Sequence, residues 1–303
     1  MLKKIKNLFI KKIFRPRFAI LSQKKSFVVN ITKLFYIAFH NFYRHNSSLR
    51  ASALTYFSLM AIVPFFALIF VVAKNVGYQE NVANELLIRF EEYKEMILKI
   101  FEFADNLIYA AKSSLIALIG IIFLFWSFIK VFSNLESSLN EIWQNRILRN
   151  FKRRLSNYLA FMFVMPIFLV FFISLKIYIF KFFPKDVISN HVYTRFFLNI
   201  SSYLLVLSLF TFLYSFLPNI KVRFKYAFIS ALFTSLIYQI IQLMYVSSQI
   251  GITKLNAIYG SFAALPLFLI WLQFSWMIFL FGAEINYAMQ NLNKIKFKDL
   301  EQK

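Results

Sequence analysis

The residues that could perform acid–base or metal chemistry are few, and their spacing suits neither. The chain has no cysteine, which removes thiolate ligands and a thiol nucleophile. His40 and His45 lie five residues apart on a predicted helix and are interpreted as interfacial, while His191 is far along the chain. No HxH, HExxH or DxD spacing occurs, and there is no glycine-rich phosphate loop. We therefore expect no metal site and no cofactor, and the sequence disfavours an enzyme.

Uncharged polar residues inside long apolar stretches form a second group of candidates. Gln239 and Gln242 are three residues apart on one face of a predicted helix, and Gln273 falls near the middle of the next apolar stretch. Thr55 and Tyr56 lie in the first such stretch and could face the same cavity. An amide in hydrocarbon needs a hydrogen-bond partner. These residues either join helices, which the sequence favours, or line a path for a polar substrate.

Two charged residues lie close to the ends of apolar stretches. Lys130 can extend its ammonium group toward lipid headgroups, which is the favoured interpretation of that residue. Glu284 closes the last apolar stretch. It could form an ion pair with Lys130 or with a basic residue of the 146–154 segment, and an ion pair is favoured over a role in proton transfer.

The 146–154 segment is rich in arginine. Guanidinium groups match the geometry of phosphate oxygens, so this segment could bind an anionic headgroup or a phosphate. The alternative, which we favour, is that its charges mark the cytoplasmic side of the membrane and anchor a helix at the interface. The candidate residues are Arg146, Arg149, Arg153 and Arg154.

The composition identifies the elements that must carry these residues. Hydrophobic residues make up 60% of the 303-residue chain and charged residues only 16%, yet the net charge is +22. Six stretches without Asp, Glu, Lys or Arg reach or approach the roughly 17–25 residues that cross a bilayer, where the backbone must be helical. The sequence therefore predicts an all-α membrane protein with six transmembrane helices. The stretches cover residues 51–73, 113–129, 155–175, 196–220, 226–253 and 255–283.

The distribution of basic residues predicts the orientation of these helices. Segments expected on one side hold 24 Lys and Arg residues, against 9 in the segments expected on the other side. Because short cytoplasmic segments are enriched in Lys and Arg, both termini are predicted to be cytoplasmic. The same asymmetry accounts for the high net charge, so no specific nucleic-acid partner is expected.

The segments outside the apolar stretches complete the predicted organisation. Residues 1–50 form a basic cytoplasmic segment with interfacial helices, residues 51–289 the six-helix domain, and residues 290–303 a cytoplasmic tail. The basic segment is expected to contact anionic lipids. Within residues 80–112, apolar residues recur every three or four positions, which predicts an amphipathic helix on the outer side. That helix is a cap, a lid, or a surface for an envelope partner.

Three stretches resemble the YihY/BrkB family of bacterial inner-membrane proteins, once labelled ribonuclease BN. They are residues 51–64 (ASALTYFSLMAIVP), residues 139–143 (LNEIW) with the basic run that follows, and residues 259–271 (YGSFAALPLFLIW) continuing through 282–286 (GAEIN). The resemblance implies a multi-pass inner-membrane protein with six helices and both ends in the cytoplasm. It supplies no biochemical activity that could be assigned to particular residues.

The expected function is therefore a non-enzymatic one at the bilayer. We expect a protein that moves or accommodates a lipid-like or small amphipathic substrate through its helix bundle. One alternative is a structural or interaction protein of the envelope, acting through the outer helix. The other, which is disfavoured, is a tRNA-processing ribonuclease that depends on Glu136 or Glu141.

Overall fold

The structure of the protein, a computed structural model, describes residues 23–75, 115–145, 151–181, 191–253 and 264–292, together with the isolated residues 87, 98 and 102. Regular secondary structure within these ranges is helical throughout, as the sequence predicts. The helices are α1 (Gln23–Arg44), α2 (Ser47–Asn75), α3 (Leu115–Ile142), α4 (Phe151–Lys181), α5 (His191–Phe216), α6 (Phe224–Thr253) and α7 (Ala264–Asn291).

Three of the described helices contain segments long and apolar enough to cross a membrane. These segments are Lys152–Phe172 of α4, Phe224–Ser248 of α6 and Pro266–Asn291 of α7, and Ile200–Phe216 of α5 is a shorter apolar helix. An all-helical architecture with membrane-spanning segments is thus confirmed, while the count of six spans stays a prediction. The predicted interfacial helix at the N-terminus and the outer helix at 80–112 lie outside the described residues, apart from 87, 98 and 102.

Helix α6 has an arrangement of large and small side chains that suits a lipid environment. Many of its large apolar residues are exposed, whereas the small residues of its first half are buried. Small side chains let helices approach closely, and bulky apolar ones can remain in contact with lipid. In water the same exposed face would be a large apolar patch, which soluble monomers avoid. The buried residues are Ala227, Ser230, Ala231, Thr234 and Ser235, and the exposed ones include Phe224, Phe228, Leu236, Ile240, Leu243 and Met244.

The described residues belong to two compact units. The first takes its residues from 1–52, 136–147 and 206–303, and the second from 53–135 and 148–205. In the first unit, α7 packs against both α6 and α1. The second half of α7 is buried around its whole circumference, which makes it the central helix of the unit. The buried residues there are Phe279, Leu280, Ala283, Glu284, Ile285, Asn286 and Ala288.

The second unit is held by aromatic contacts between α3 and α4. The ring of Phe132 lies 5.5 Å from that of Phe161 and 6.4 Å from that of Tyr158, measured between centroids. Arg154 reinforces this contact, because its guanidinium donates to the hydroxyl groups of both Tyr158 and Ser133. Pro166 lies inside α4 and removes one of its backbone hydrogen bonds.

Gly282 marks the closest approach of helices in the first unit. A Cβ atom at this position would clash with the side chain of Thr234 on α6 and with the hydroxyl of Tyr214 on α5. The Tyr214 hydroxyl also donates a 2.7 Å hydrogen bond to the carbonyl of Phe279, one turn earlier on α7. The absence of a side chain at 282 therefore allows α5, α6 and α7 to pack around one point.

We predict that Gly282→Ala destabilises the protein by about 1–3 kcal/mol, the usual range for overpacking. The added methyl group has no space beside Thr234, so the helices must separate. The measurement is the thermal unfolding midpoint of the purified protein in detergent. Adding Thr234→Ala to Gly282→Ala removes the nearest clashing atoms and should recover part of the loss. A double variant no more stable than the single one would contradict this account.

Candidate functional site

The site is built around a sharp corner between α1 and α2. Asn46 has a positive φ of 51°, a conformation that asparagine tolerates better than most residues. The amide of His45 still bonds to the carbonyl of Asn41 at 2.8 Å, so His45 belongs to the last turn of α1. The amide of Arg50 bonds to the carbonyl of Asn46 at 3.1 Å and starts α2. The corner thus places the His45 side chain at a fixed point between the two helices.

His45 meets Glu284 of α7 inside the first unit. Its Nδ1 atom lies 2.7 Å from Oε1 of Glu284, and the two side chains are 5% and 0% exposed. If Glu284 is ionised, its carboxylate only accepts hydrogen bonds, and Nδ1 of His45 then donates the proton that joins the pair. This short, charge-assisted bond connects residues 239 positions apart in the chain. It attaches the α1–α2 corner to the central helix.

Several polar atoms of the corner residues and of the buried half of α7 have no hydrogen-bond partner among the described residues. The second carboxylate oxygen of Glu284, Oε2, is one of them, and so are Oδ1 of Asn41 and Oγ of Ser47. Both amide atoms of Asn286 are in the same condition. Buried polar groups are normally satisfied, so each such atom calls for an explanation.

The end of α3 is attached to the same unit by three asparagines. Gln144 has a positive φ of 53°, and the amide of Asn145 bonds back to the carbonyl of Asn140 at 2.8 Å, which closes the helix in a Schellman motif. Asn140 Oδ1 then accepts from the amide of Asn219 at 2.8 Å, and Asn145 Nδ2 donates to the carbonyl of Asn219 at 3.0 Å. Asn219 lies between α5 and α6, so this connection is fixed to the end of α3.

An exposed ion pair and an aromatic contact lie next to the buried pair. Arg50 donates through Nε to the carbonyl of His45 at 3.1 Å, and one of its terminal nitrogens lies 3.4 Å from Glu141. Glu141 is half exposed, so this pair contributes little to stability. The buried ring of Trp143 packs edge-on against Tyr287 of α7 at 5.5 Å.

The end of α7 is capped by the elements around it. Lys33 of α1 donates from Nζ to the carbonyl of Leu292 at 3.0 Å, where a positive charge also favours the negative end of the helix dipole. Partial burial lowers the pKa of Lys33 below its ordinary value. Gln290 accepts from the amide of Arg223 and donates to the carbonyl of Lys221. The α5–α6 connection is therefore held against α7 as well as against α3.

The predicted polar path is distributed over both units. Gln273 donates to Oγ of Ser52 at 3.0 Å and to the carbonyl of Ser48 at 3.3 Å, which joins α7 to α2. Gln239 is half-buried and its Oε1 is buried without a partner, while Gln242 is half-buried. Thr55 and Tyr56 belong to the second unit, where Thr55 is buried and Tyr56 is exposed. Gln273 thus has the helix-joining contact, and the path stays a prediction.

The charged candidates have the following places. The partner of Glu284 is His45. Lys130, which the sequence suggested as the partner, is exposed, and its Nζ atom lies 5.7 Å from the ring centroid of Trp126. Arg153 is exposed, and Arg154 is bonded to Ser133 and Tyr158. Arg146 and Arg149 lie outside the described residues.

Sequence reasoning missed the partner of Glu284. It placed His45 at the membrane interface, whereas the structure buries it within the protein. A signal for this existed, because Asn41 and His45 are polar residues four apart on the same helical face as the apolar Ile37 and Ala38. The resulting pair can hold a proton or a cation between α1 and α7. Its burial keeps large substrates away from it.

We predict that His45→Ala lowers the free energy of unfolding by about 3–5 kcal/mol, because it leaves the buried carboxylate of Glu284 without its partner. The matched control is Glu141→Gln, which removes the exposed carboxylate of the neighbouring Arg50–Glu141 pair and should cost about 0–1 kcal/mol. Thermal unfolding in detergent measures both. Equal losses of stability in the two variants would show that the buried pair contributes no more to stability than the exposed pair.

Comparison with known proteins identifies the family. The family model for virulence factor BrkB matches residues 38–303. The chain is 27% identical over 253 residues to a UPF0761 membrane protein of Psychrobacter sp. (strain PRwf-1), with 82% of this chain and 47% of that protein covered. It is 28% identical to a UPF0761 membrane protein of Acinetobacter baylyi (82% and 60% covered) and 25% identical to one of Mannheimia succiniciproducens (88% and 93% covered).

The chain therefore spans about half to three fifths of the length of the first two relatives and nearly all of the third. No solved structure matches the chain. The family match includes the α1–α2 corner, the end of α3 and all of α7, and it covers both members of the His45–Glu284 pair. The chain belongs to the family of virulence factor BrkB, whose relatives here are membrane proteins.

Proposed function

We propose that the protein moves or accommodates a lipid-like or small amphipathic substrate across the bacterial inner membrane, with six spanning helices and both termini in the cytoplasm. The observation that carries this proposal is the presence of polar atoms without partners between apolar helices. Oε1 of Gln239 on α6 and Nε1 of Trp271 on α7 are both buried with no hydrogen-bond partner.

The position of these atoms supports a path along the first unit. Trp271 and Glu284 are thirteen residues apart on α7, or about 20 Å at 1.5 Å per residue. Gln273 lies between them, on the same helix. A polar group without a partner costs several kcal/mol in hydrocarbon. The headgroup of a substrate passing between the helices would satisfy such atoms in turn, while its apolar part could remain among the exposed side chains of α6.

The burial of the His45–Glu284 pair argues against its use in RNA hydrolysis, and Glu136, one of the two carboxylates of the ribonuclease alternative, is buried as well. Hydrolysis of RNA by a histidine and a carboxylate requires that a phosphodiester reach both groups. Both side chains are almost fully enclosed by protein, so an RNA backbone has no access to them. The outer-helix alternative concerns residues 80–112, most of which lie outside the described ranges.

We predict that the protein, reconstituted into liposomes of phosphatidylethanolamine and phosphatidylglycerol, accelerates the exchange of a fluorescent phospholipid between leaflets. Dithionite quenching of the outer-leaflet label measures the rate. Gln239→Leu should reduce the accelerated rate about tenfold, the effect of losing one hydrogen bond of about 1.4 kcal/mol. The control is Ile240→Leu, at an exposed neighbour on the same helix. Wild-type liposomes that behave like empty ones would contradict lipid movement.

The orientation can be tested independently, because the natural chain has no cysteine to remove. We predict that Tyr43→Cys and Lys225→Cys, both at exposed positions, react with a membrane-impermeant maleimide only after spheroplasts are lysed. Leu98→Cys and Lys185→Cys, in the segments predicted to be outside, should react in intact spheroplasts. The reverse pattern would show that the charge asymmetry was interpreted in the wrong direction.

A further inference from the structure

Around the α1–α2 corner, three buried oxygens have no hydrogen-bond partner within the described part of the chain. Oδ1 of Asn41, Oγ of Ser47 and Oε2 of Glu284 are all buried without a hydrogen-bond partner, and their side chains are at most 2% exposed. We propose that these three oxygens form part of a binding site for a monovalent alkali cation, Na⁺ or K⁺.

The chain brings these residues to one place through His45. Asn41 lies one helical turn before His45 on the same face of α1, and Ser47 follows two residues after it as the first residue of α2. Glu284 is bonded to His45 through Oε1, so its second oxygen lies next to the same corner. Asn286 is not included, because two residues along a helix correspond to about 200° and place it on another face of α7.

The chemistry of the three atoms favours a cation over a polar neighbour. A carboxylate oxygen is only an acceptor, and an amide oxygen is only an acceptor. A hydroxyl can donate one hydrogen, which leaves more acceptors than donors. Hard cations prefer oxygen ligands, and backbone carbonyls can supply the rest of the coordination shell.

The charge of the site favours a single positive charge. Among the three proposed ligands Glu284 supplies the one carboxylate; Glu141 is half exposed and paired with Arg50, and the buried Glu136 lies on α3. The three ligands together supply a single negative charge, that of the Glu284 carboxylate. Arg44, next to His45, is only half-buried, so solvent weakens its contribution. A divalent ion bound within protein normally has more carboxylate ligands than one.

A bound cation would connect three helices at one point, since its ligands come from the end of α1, the start of α2 and the centre of α7. It would stabilise the folded protein by mass action. This inference depends on the geometry of the first unit and not on the proposed movement of lipid, so either can fail without the other.

The test is the thermal unfolding midpoint of the full chain in detergent at a fixed pH of 8. NaCl and KCl are each titrated against N-methylglucamine chloride at constant ionic strength, so that screening is the same in all samples. We expect at least one alkali cation to raise the midpoint by about 2 °C at ten times its dissociation constant. A midpoint independent of both ions overturns the proposal, whether or not it changes with pH.

The variants separate this site from general salt effects. Glu284→Gln keeps an oxygen for His45 but removes the charge, and it should abolish the response to the cation. Ser47→Ala removes one ligand and should shift the response to higher cation concentration. This variant tests the site by itself if Glu284→Gln cannot be purified. Glu141→Gln, at the exposed neighbouring carboxylate, should respond like the wild type. An unchanged response in both Glu284→Gln and Ser47→Ala places the ion elsewhere and overturns the proposal.

Discussion

A carboxylate enclosed by protein must have a partner, and the described end of the first unit is organised around this requirement. Glu284 lies in the fully buried part of α7, and His45 reaches it only because α1 ends in a left-handed turn at Asn46. The same corner directs Arg50 to the end of α3. The pair therefore fixes the α1–α2 corner to α7. The neighbouring asparagine and glutamine contacts attach the end of α3 and the α5–α6 connection to the same unit.

The packing of the first unit follows from its expected solvent. Lipid gives apolar side chains no reason to leave the surface, so shape and polarity decide what is buried. Helix α6 accordingly exposes its phenylalanines and leucines and buries alanine, serine and threonine. Gly282 is the extreme case of burying a small residue, because without a side chain there α5, α6 and α7 can meet at one point. The close contact in turn brings the polar groups of α6 and α7 near one another.

The helical class and the membrane character could be predicted from the sequence, because both follow from runs of apolar residues and the backbone's need for hydrogen bonds. The site could be predicted only in part. Glu284 was identified as a residue in need of a partner, and the helical spacing of Asn41 and His45 marks a buried polar face on α1, but the sequence does not say that residues 239 positions apart meet there. The contact at Gly282 was missed for a similar reason, since a lone glycine says nothing about which helices approach it.

Stability alone does not explain why the pair is buried. A carboxylate removed from solvent loses most of what its hydrogen-bonded partner returns, and apolar side chains of similar size would hold the helices as well or better. The oxygens left without partners at Asn41, Ser47 and Glu284 make the arrangement less favourable still. An arrangement that is poor as structural packing is what a binding site requires, since its ligand supplies the missing interactions. The corner is therefore better explained as the cation-binding site proposed above than as a contact that only stabilises helix packing.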